Sequence, residues 1–257
     1  MTMYPAERRQ AMAELVARRG RVSVADLAVE FGVTTETVRR DLDGLEERRL
    51  LRRVHGGALP PDSFTMLEPD LSDRGLSHHE EKRRIAEAAL AYVPAAGAAV
   101  IFDAGTTTIQ LAAMLPHDHR ITALTHAIPV AARLADRPNV ELHLLPGRVR
   151  DATQAAVGIE TVTALARVRA EVAFVGTNGI SVDHGLSTPD DVEAATKAAI
   201  VASAQHVVVL ADSSKIAVER TVRFARLAEI DVLITDVRAD PAQVAAFRGA
   251  GVTVVTA

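Results

Sequence analysis

Short apolar runs alternate with helical stretches from residue 98 to the end of the chain. The runs are AAVIF, ITALT, VELHLL, EVAFV, HVVVL, DVLIT and VTVV, and the intervening segments include TTIQLAAML and VEAATKAAIVAS. Strands with one face in water alternate apolar and polar residues, whereas unbroken apolar strands separated by helices are typical of a sheet covered on both faces. The pattern therefore predicts an α/β domain built on a parallel sheet.

Three further helical patterns and a hairpin precede this region. The first helix is predicted from Ala6 to Arg19, and the second, VADLAVEF, begins after the capping residue Ser23. The third is TTETVRRDL, with Thr34 as its N-cap, and the Gly56-Gly57 pair that follows is of the kind that turns a hairpin. Three helices followed by a hairpin are the order of a winged helix-turn-helix domain.

The third helix presents a polar face opposite a narrow apolar stripe. At 100° per residue, Val38, Leu42 and Leu45 fall together, and Arg40 points away from them. Taken alone, this is also the pattern of a solvated surface helix. Its place within the helix-turn-helix order favours double-stranded DNA, because an outward arginine can donate paired hydrogen bonds to guanine or phosphate. The predicted DNA-binding residues are Ser23, Thr34, Thr35, Glu36, Thr37, Arg39, Arg40, Arg52, Arg53 and His55.

The charge distribution fits a small DNA-contacting domain attached to a larger one. Residues 1–58 carry a net charge of +2 and the remainder carries −6, within a total of −4. The interval 59–77 contains three prolines and no sustained period, so we expect a linker there. The predicted organisation is a winged helix-turn-helix domain at 1–58, a linker at 59–77, and an effector-binding and oligomerisation domain at 78–257.

Composition excludes several classes of protein. The chain has no cysteine, so it can form neither disulfides nor thiolate sites. It has no apolar run of the ~18 to 20 residues that a membrane span needs, and its first residues lack the apolar segment of a signal peptide. We therefore expect a cytoplasmic protein with no membrane partner. The sequence also has no nucleophile-elbow motif and no histidine-carboxylate metal motif, so we expect no catalytic residue, no metal site and no cofactor.

The loops that follow the predicted strands are the expected ligand site, because open α/β sheets bind ligands at the carboxyl ends of their strands. In the loop Asp103 to Thr108, backbone N–H groups at a helix start and threonine hydroxyls suit a phosphate. An ordinary capped turn is the alternative, and no Gly-Lys-Ser/Thr sequence supports nucleotide hydrolysis. The predicted effector-binding residues are Asp103, Gly105, Thr106, Thr107, Thr108, His126, Arg148, Asn178, Gly179, Asp212 and Lys215.

Both halves of the chain resemble the DeoR family of bacterial transcriptional regulators. The resemblance is carried by TTETVRRDLDGLEERRLLRRVHGGA and by DAGTTT, FVGTNGI, GLSTPD, EAATK and LADSSK. It implies a repressor with an effector domain similar in fold to ribose-5-phosphate isomerase, which responds to a phosphorylated sugar and acts as a homo-oligomer, dimer or tetramer. The N-terminal segment is most similar to members associated with fructose metabolism, which favours fructose 1-phosphate. One departure is Thr125-His126, where the family usually has Thr-Asn; the imidazole either alters ligand choice or binds the same hydroxyl.

The alternative is a sugar-phosphate isomerase with an attached DNA-binding domain. Glu193 and Lys197 could serve as a base and an enediolate-stabilising group, but such a Glu-Lys pair at i,i+4 more often stabilises a helix surface. The isomerase family also relies on an acidic loop, whereas the comparable stretch here is Gly-Thr-Asn-Gly-Ile. The missing acids favour a regulator that binds a sugar phosphate without converting it.

Overall fold

The computed structural model describes residues 5–19, 22–48, 50–54, 56–60 and 71–257. The chain divides into two compact units, Met1–Thr65 and Met66–Ala257. Within the described residues, no helix is long and apolar enough to cross a membrane.

The N-terminal unit contains three helices and a small antiparallel sheet. The helices are α1 (Pro5–Arg19), α2 (Val24–Phe31) and α3 (Thr35–Glu47), and the strands are β1 (Val22–Ser23), β2 (Arg52–Val54) and β3 (Gly57–Leu59). The sheet order is β1-β3-β2, so the hairpin of β2 and β3 is completed by the short strand before α2. This is the predicted winged helix-turn-helix.

Helix starts and the core of this unit follow from the sequence pattern. Ser23 accepts a hydrogen bond from the backbone of Asp26, and Thr34 accepts one from Thr37, so both predicted N-caps are confirmed. The turn between α2 and α3 uses Gly32 in the left-handed conformation, with φ of 60°. Buried side chains from all three helices form the core: Met12, Leu15, Val16, Leu27, Val38, Leu42 and Leu45.

The C-terminal unit is built on a parallel sheet of seven strands. They are β4 (Ala99–Phe102), β5 (Ile121–Thr125), β6 (Val140–Leu144), β9 (Ala170–Gly176), β12 (Ala204–Leu210), β14 (Val232–Thr235) and β15 (Thr253–Thr256). Their order is β15-β14-β12-β9-β4-β5-β6, with every neighbouring pair parallel. The α/β fold with a parallel sheet is confirmed, and each of its strands corresponds to one predicted run.

Helices cover both faces of this sheet. The helices are α4 (Leu71–Leu76), α5 (His79–Ala89), α6 (Thr106–Met114), α7 (Ile128–Leu134), α8 (Ile159–Leu165), α9 (Asp191–Ala202) and α10 (Pro241–Gly249). Side chains of α5, α6 and α7 pack with Val100 and Phe102 on one face, and those of α8, α9 and α10 pack with Ile101 on the other. Burial on both faces explains why the strands are uniformly apolar.

Several short elements were not predicted. They are the hairpin β7 (Arg148–Arg150) and β8 (Ala155–Val157), and a small sheet of β10 (Gly179–Ser181), β11 (Gly185–Thr188) and β13 (Val222–Ala225). The interval 59–77 is not structureless throughout: Leu59 ends β3 and α4 lies at its other end. Residues 61–70 lie outside the described part of the chain, and the linker boundaries stay a prediction.

The sheet changes winding direction between β4 and β9. From β4 the chain proceeds outward through β5 and β6, and from β9 it proceeds the opposite way through β12, β14 and β15. The carboxyl ends of β4 and β9 therefore flank a crevice of the kind where open α/β sheets bind ligands.

Candidate DNA-binding surface and effector site

The outer face of α3 is exposed as the helical wheel predicts. The Arg40 side chain is 79% exposed and lies 3.6 Å from Glu36, and Arg39 lies 3.7 Å from the same carboxylate. Ion pairs this exposed contribute little to stability and are easily exchanged for another anion. The polar face of α3 is therefore available for contact with DNA phosphates and bases.

The inner face of α3 is fixed to α1 by a buried ion pair. Arg8 donates a hydrogen bond of 2.7 Å to Asp41, and Arg9 lies 3.8 Å from the same carboxylate. Because each partner would be costly to bury alone, the pair holds α3 in one rotation about its axis.

The hairpin arginines are already engaged with α3. Arg53 donates to Asp43 through its guanidinium, and its backbone N–H donates to Glu46 over 2.7 Å. Burial lowers the pKa of Arg52 from its ordinary value, partly offset by the charge of Glu46. His55 lies outside the described residues. The DNA-binding roles predicted for Arg52, Arg53 and His55 stay predictions, and Arg53 would have to leave Asp43 to bind phosphate with its full guanidinium.

Asp103 is the centre of a buried polar cluster at the carboxyl end of β4. Its side chain is completely buried, and its Oδ2 accepts hydrogen bonds from Lys197 Nζ at 2.5 Å and from the Gly176 backbone N–H at 2.9 Å. Burial by itself raises the pKa of Asp103, but the Lys197 charge and the hydrogen bonds to the carboxylate outweigh it and lower the pKa to about 2. Asp103 is therefore an anion that joins β4 to the end of β9.

His126 joins this cluster from the end of β5. Its Nδ1 lies 2.7 Å from the Ala156 carbonyl oxygen, which is an acceptor, so Nδ1 carries a hydrogen. Its Nε2 lies 3.0 Å from Asp103 Oδ1 and 3.2 Å from the Ala104 backbone nitrogen. The imidazolium form donates to the carboxylate, and the neutral form accepts from the Ala104 N–H. Both ring nitrogens face protein groups, so the structure favours a positioning role for His126 over direct contact with a sugar hydroxyl.

Helix α9 contributes two charged residues, Glu193 and Lys197, whose spacing had favoured a surface pair. Glu193 and Lys197 are 3% and 2% exposed, so this pair is buried and does not lie on a helix surface as expected. Arg150 of β7 extends the cluster, with contacts of 3.3 Å to Asp190 and 3.4 Å to Glu193. The missed signal was their position: Glu193 and Lys197 share one helix face with the buried Ile200 and Val201, where charges are rare.

The start of α6 has backbone groups available for an anion. Gly105 is the N-cap and provides no side-chain bond to the first turn. The N–H groups of Thr106, Thr107 and Thr108 are among those that an α-helix leaves without an internal partner. Thr107 and Thr108 are buried, and the Thr108 hydroxyl donates to the Gly105 carbonyl over 2.8 Å, so of the three hydroxyls that of Thr106 is the more accessible.

Asn178 and Gly179 shape the loop after β9. Asn178 accepts a hydrogen bond from the Thr188 hydroxyl over 3.2 Å. A side chain at Gly179 would come within 2.4 Å of the Val218 carbonyl oxygen, so glycine permits the close approach of these two backbone segments. Gly179 therefore has a structural reason to be glycine.

Asp212 and Lys215 form a second polar group, at the end of β12. Asp212 is buried and caps the short 3-10 helix Ser213–Lys215. Burial raises the pKa of Asp212, but the Lys215 charge and the hydrogen bond from Ser214 lower it overall. Asp103 contacts His126, Gly176 and Lys197, whereas Asp212 accepts hydrogen bonds from the Ser214 N–H and hydroxyl at the end of another strand, and Arg148 is exposed on β7. The structure therefore groups only part of the predicted effector set around Asp103.

Comparison with known proteins gives the family of both units. Residues 8–64 match the DeoR-like helix-turn-helix domain, and residues 77–237 match the DeoR C terminal sensor domain. The chain belongs to the DeoR family. The resemblance inferred from TTETVRRDL and DAGTTT is thus confirmed.

Curated relatives match this DeoR-family chain over nearly its whole length. The HTH-type transcriptional regulator GlpR of Haloferax volcanii is 39% identical over 253 residues, covering 98% of each chain. The glycerol-3-phosphate regulon repressor of Escherichia coli K12 is 31% identical over 234 residues, covering 91% of this chain and 92% of its own. These relatives are named as regulators, which confirms the prediction of a DNA-binding transcriptional regulator and not an enzyme.

Some solved structures are also similar to this chain, at low sequence identity. Ribose 5-phosphate isomerase A from Methanocaldococcus jannaschii is 16% identical, with a TM-score of 0.40, over 54% of this DeoR-family chain and 55% of its own. The sorbitol operon regulator SorC from Klebsiella pneumoniae is 13% identical, with a TM-score of 0.39, over 80% of this chain and 89% of its own.

Proposed function

We propose that this DeoR-family regulator represses a sugar-utilisation operon and is released from its operator by a phosphorylated sugar. The observation that carries the proposal is the place of Asp103 beside the start of α6, at the point where the sheet changes direction. Uncapped N–H groups of a helix start suit a phosphate, and polar groups at the same sheet edge suit hydroxyls.

Fructose 1-phosphate is the leading effector, on the resemblance of the N-terminal segment to fructose-associated members of the family. Glycerol 3-phosphate is the second candidate, because a relative 31% identical to this chain is named as a glycerol-3-phosphate regulon repressor. The two compounds share a phosphate monoester on a hydroxylated carbon chain and differ in length. The effector-binding set of the proposal adds Lys197, Glu193 and Arg150 to the residues predicted from sequence, with His126 as a positioning residue.

Regulation requires that the effector bind one arrangement of the protein more tightly than another. In a homo-oligomer, two helix-turn-helix units occupy two half-sites of a repeated or palindromic operator, and the spacing of the units must match that of the half-sites. Effector binding would favour an arrangement in which this match is lost. Arg40 reads base edges in this scheme, and the first turn of α3 holds phosphate oxygens.

A mobility-shift assay tests the proposal. The full-length protein is titrated onto the promoter region beside its own gene, with and without fructose 1-phosphate, glycerol 3-phosphate, unphosphorylated fructose or inorganic phosphate. We expect one sugar phosphate to release the DNA at concentrations where fructose has no effect. DNA binding that is unchanged by the whole panel would contradict the effector model, and measurable isomerisation of a sugar phosphate would support the enzyme alternative.

A further inference from the structure

A cleft of about 730 Å³ opens beside the start of α6. Its walls come from α4, α5, α6, α7 and the turn between β7 and β8, and its lining includes Thr106, Gln110, Arg133, Asp151 and Gln154. The volume is within the range of pockets that hold small molecules. Because Thr106 is the first residue of α6, the cleft lies at the amino end of this helix.

Arg133 lies on the wall of this cleft, and its side chain is available to bind a ligand. It is exposed near the end of α7, and no hydrogen bond or ion pair involving its side chain occurs among the residues that the structure describes. Two neighbouring arginines differ from it in this respect: Arg137 donates to the Leu115 and Ala113 carbonyls, and Arg150 contacts carboxylates. An arginine on a cleft wall, with its full set of donors available, is suited to a phosphate.

Gln110 provides a second, independent sign of a ligand. Its Oε1 is buried and has no hydrogen-bond partner in the described part of the chain, although the residue lines the cleft. A buried acceptor without a partner costs free energy, and a change of rotamer that turns the Gln110 amide into the cleft would let a hydroxyl of a bound molecule offset that cost. If the amide oxygen and nitrogen of Gln110 exchange positions, a donor replaces the acceptor, and this site still holds a hydrogen-bonding group.

Gln154, which also lines the cleft, has an uncommon backbone conformation. Its φ is 51°, a left-handed value that residues other than glycine rarely adopt. Backbone hydrogen bonds hold it there: its N–H donates to Arg150 over 2.8 Å, and its carbonyl accepts from Ile128 over 2.9 Å. Backbone conformations of this kind persist where the surrounding structure holds the residue in place, and they are enriched at ligand-binding and active sites. The bond to Arg150 also connects this wall to the buried cluster around Glu193 and Asp103.

We propose that Arg133 binds the phosphate of the effector and that Gln110 and Gln154 bind its hydroxyl groups. The ligand class is a phosphate monoester of a short hydroxylated carbon chain. This inference rests on the proposed function and makes Arg133, in place of the predicted Arg148 and Lys215, the cation that neutralises the phosphate. Asp151 also lines the cleft and is a further acceptor for hydroxyl groups.

Calorimetric titration of the full-length protein tests this assignment. Fructose 1-phosphate and glycerol 3-phosphate are titrated into the wild type and into Arg133→Ala, Arg133→Lys and Arg120→Ala. Arg120 is also an exposed arginine, at the amino end of β5 and so at the opposite edge of the sheet, and serves as the matched control. We expect Arg133→Ala to weaken binding of the sugar phosphate about tenfold or more, Arg133→Lys to weaken it less, and Arg120→Ala to leave it unchanged.

A second variant separates the sugar from the phosphate. Gln110→Met keeps a similar volume and removes the unpaired acceptor, so we expect weaker binding of the sugar phosphate with no loss of folded stability. Wild-type affinity in Arg133→Ala would overturn the assignment of Arg133 while leaving the proposed function intact. Failure of the wild type to bind either sugar phosphate would instead contradict the proposed function itself. Equal losses in Arg133→Ala and Arg120→Ala would attribute the effect to overall charge and also overturn the assignment.

Discussion

Lys197 Nζ lies 2.5 Å from Asp103 Oδ2, and both side chains are almost completely buried. The ammonium also donates to the Gly176 carbonyl over 3.0 Å, so one lysine of α9 connects the ends of β4 and β9. These two strands flank the position at which the sheet changes direction. The pair therefore fixes the geometry of the crevice in which we place the effector.

Removing one member of this pair is expected to be costly. Lys197→Met leaves Asp103 buried without its nearest cation, which should lower the free energy of unfolding by about 3 to 5 kcal/mol. The double variant Asp103→Asn/Lys197→Met removes both charges and should lose less than the sum of the single variants. Chemical unfolding followed by circular dichroism measures these values, and Glu160→Gln, at an exposed carboxylate, is the control. Strictly additive losses would contradict the coupling.

Acid should weaken the contribution of Asp103. Its carboxyl titrates near 3.8 in an unfolded chain and at about 2 in the folded protein. Between these values the unfolded chain binds more protons, so the free energy of unfolding falls as the pH falls. The stabilisation is complete above about pH 5 and is lost below about pH 2. The difference in unfolding free energy between wild type and Asp103→Asn should be constant at higher pH and shrink toward pH 2. A difference that stays constant down to pH 3 would contradict this assignment.

The main sheet could be predicted because burial on both faces leaves a direct trace in sequence. A strand such as Ile121–Thr125 is apolar throughout, and its position between helices identifies it. The strands Arg148–Arg150 and Ala155–Val157 have no such trace, because three residues show no period and their pairing depends on each other and on neighbouring segments. Short strands whose formation depends on tertiary contacts could therefore not be predicted from the sequence.

The effector site shows the same division. Asp103 and His126 could be placed at one edge because parallel strands end on the same side of a sheet. Lys197 could not be assigned from spacing, since an i,i+4 pair with Glu193 is identical on a surface and in a core. The position of Arg133 on the cleft wall depends on how α7 is rotated about its own axis, and the sequence pattern does not predict that rotation. The burial of Lys197 and the place of Arg133 on the cleft wall thus depend on tertiary packing, which spacing in the sequence does not specify.

The backbone at the start of α6 can be tested with proline. Thr106 is the first residue of the helix, where proline is tolerated. Thr106→Pro removes the backbone N–H together with the hydroxyl, while Thr106→Ala removes the hydroxyl and a methyl group and keeps the N–H. If this N–H holds the phosphate, Thr106→Pro should weaken sugar-phosphate binding about tenfold, and more than Thr106→Ala does. Calorimetric titration measures the affinity, and operator binding without effector should be unchanged in both. Equal effects of the two variants would exclude a role for this N–H.

Arg40 and Arg39 provide a matched pair on the DNA-binding helix. Both contact Glu36, but Arg40 is the more exposed and lies opposite the buried stripe of α3. If Arg40 reads a base edge, Arg40→Ala should cost about 1 to 3 kcal/mol on the operator and less on unrelated DNA. If Arg39 binds phosphate, Arg39→Ala should weaken binding to both DNAs alike and reduce the salt dependence of the affinity by about one unit of slope. Fluorescence anisotropy on operator and scrambled duplexes at several salt concentrations measures both quantities. An equal loss on both duplexes for Arg40→Ala would reassign Arg40 to the phosphate backbone.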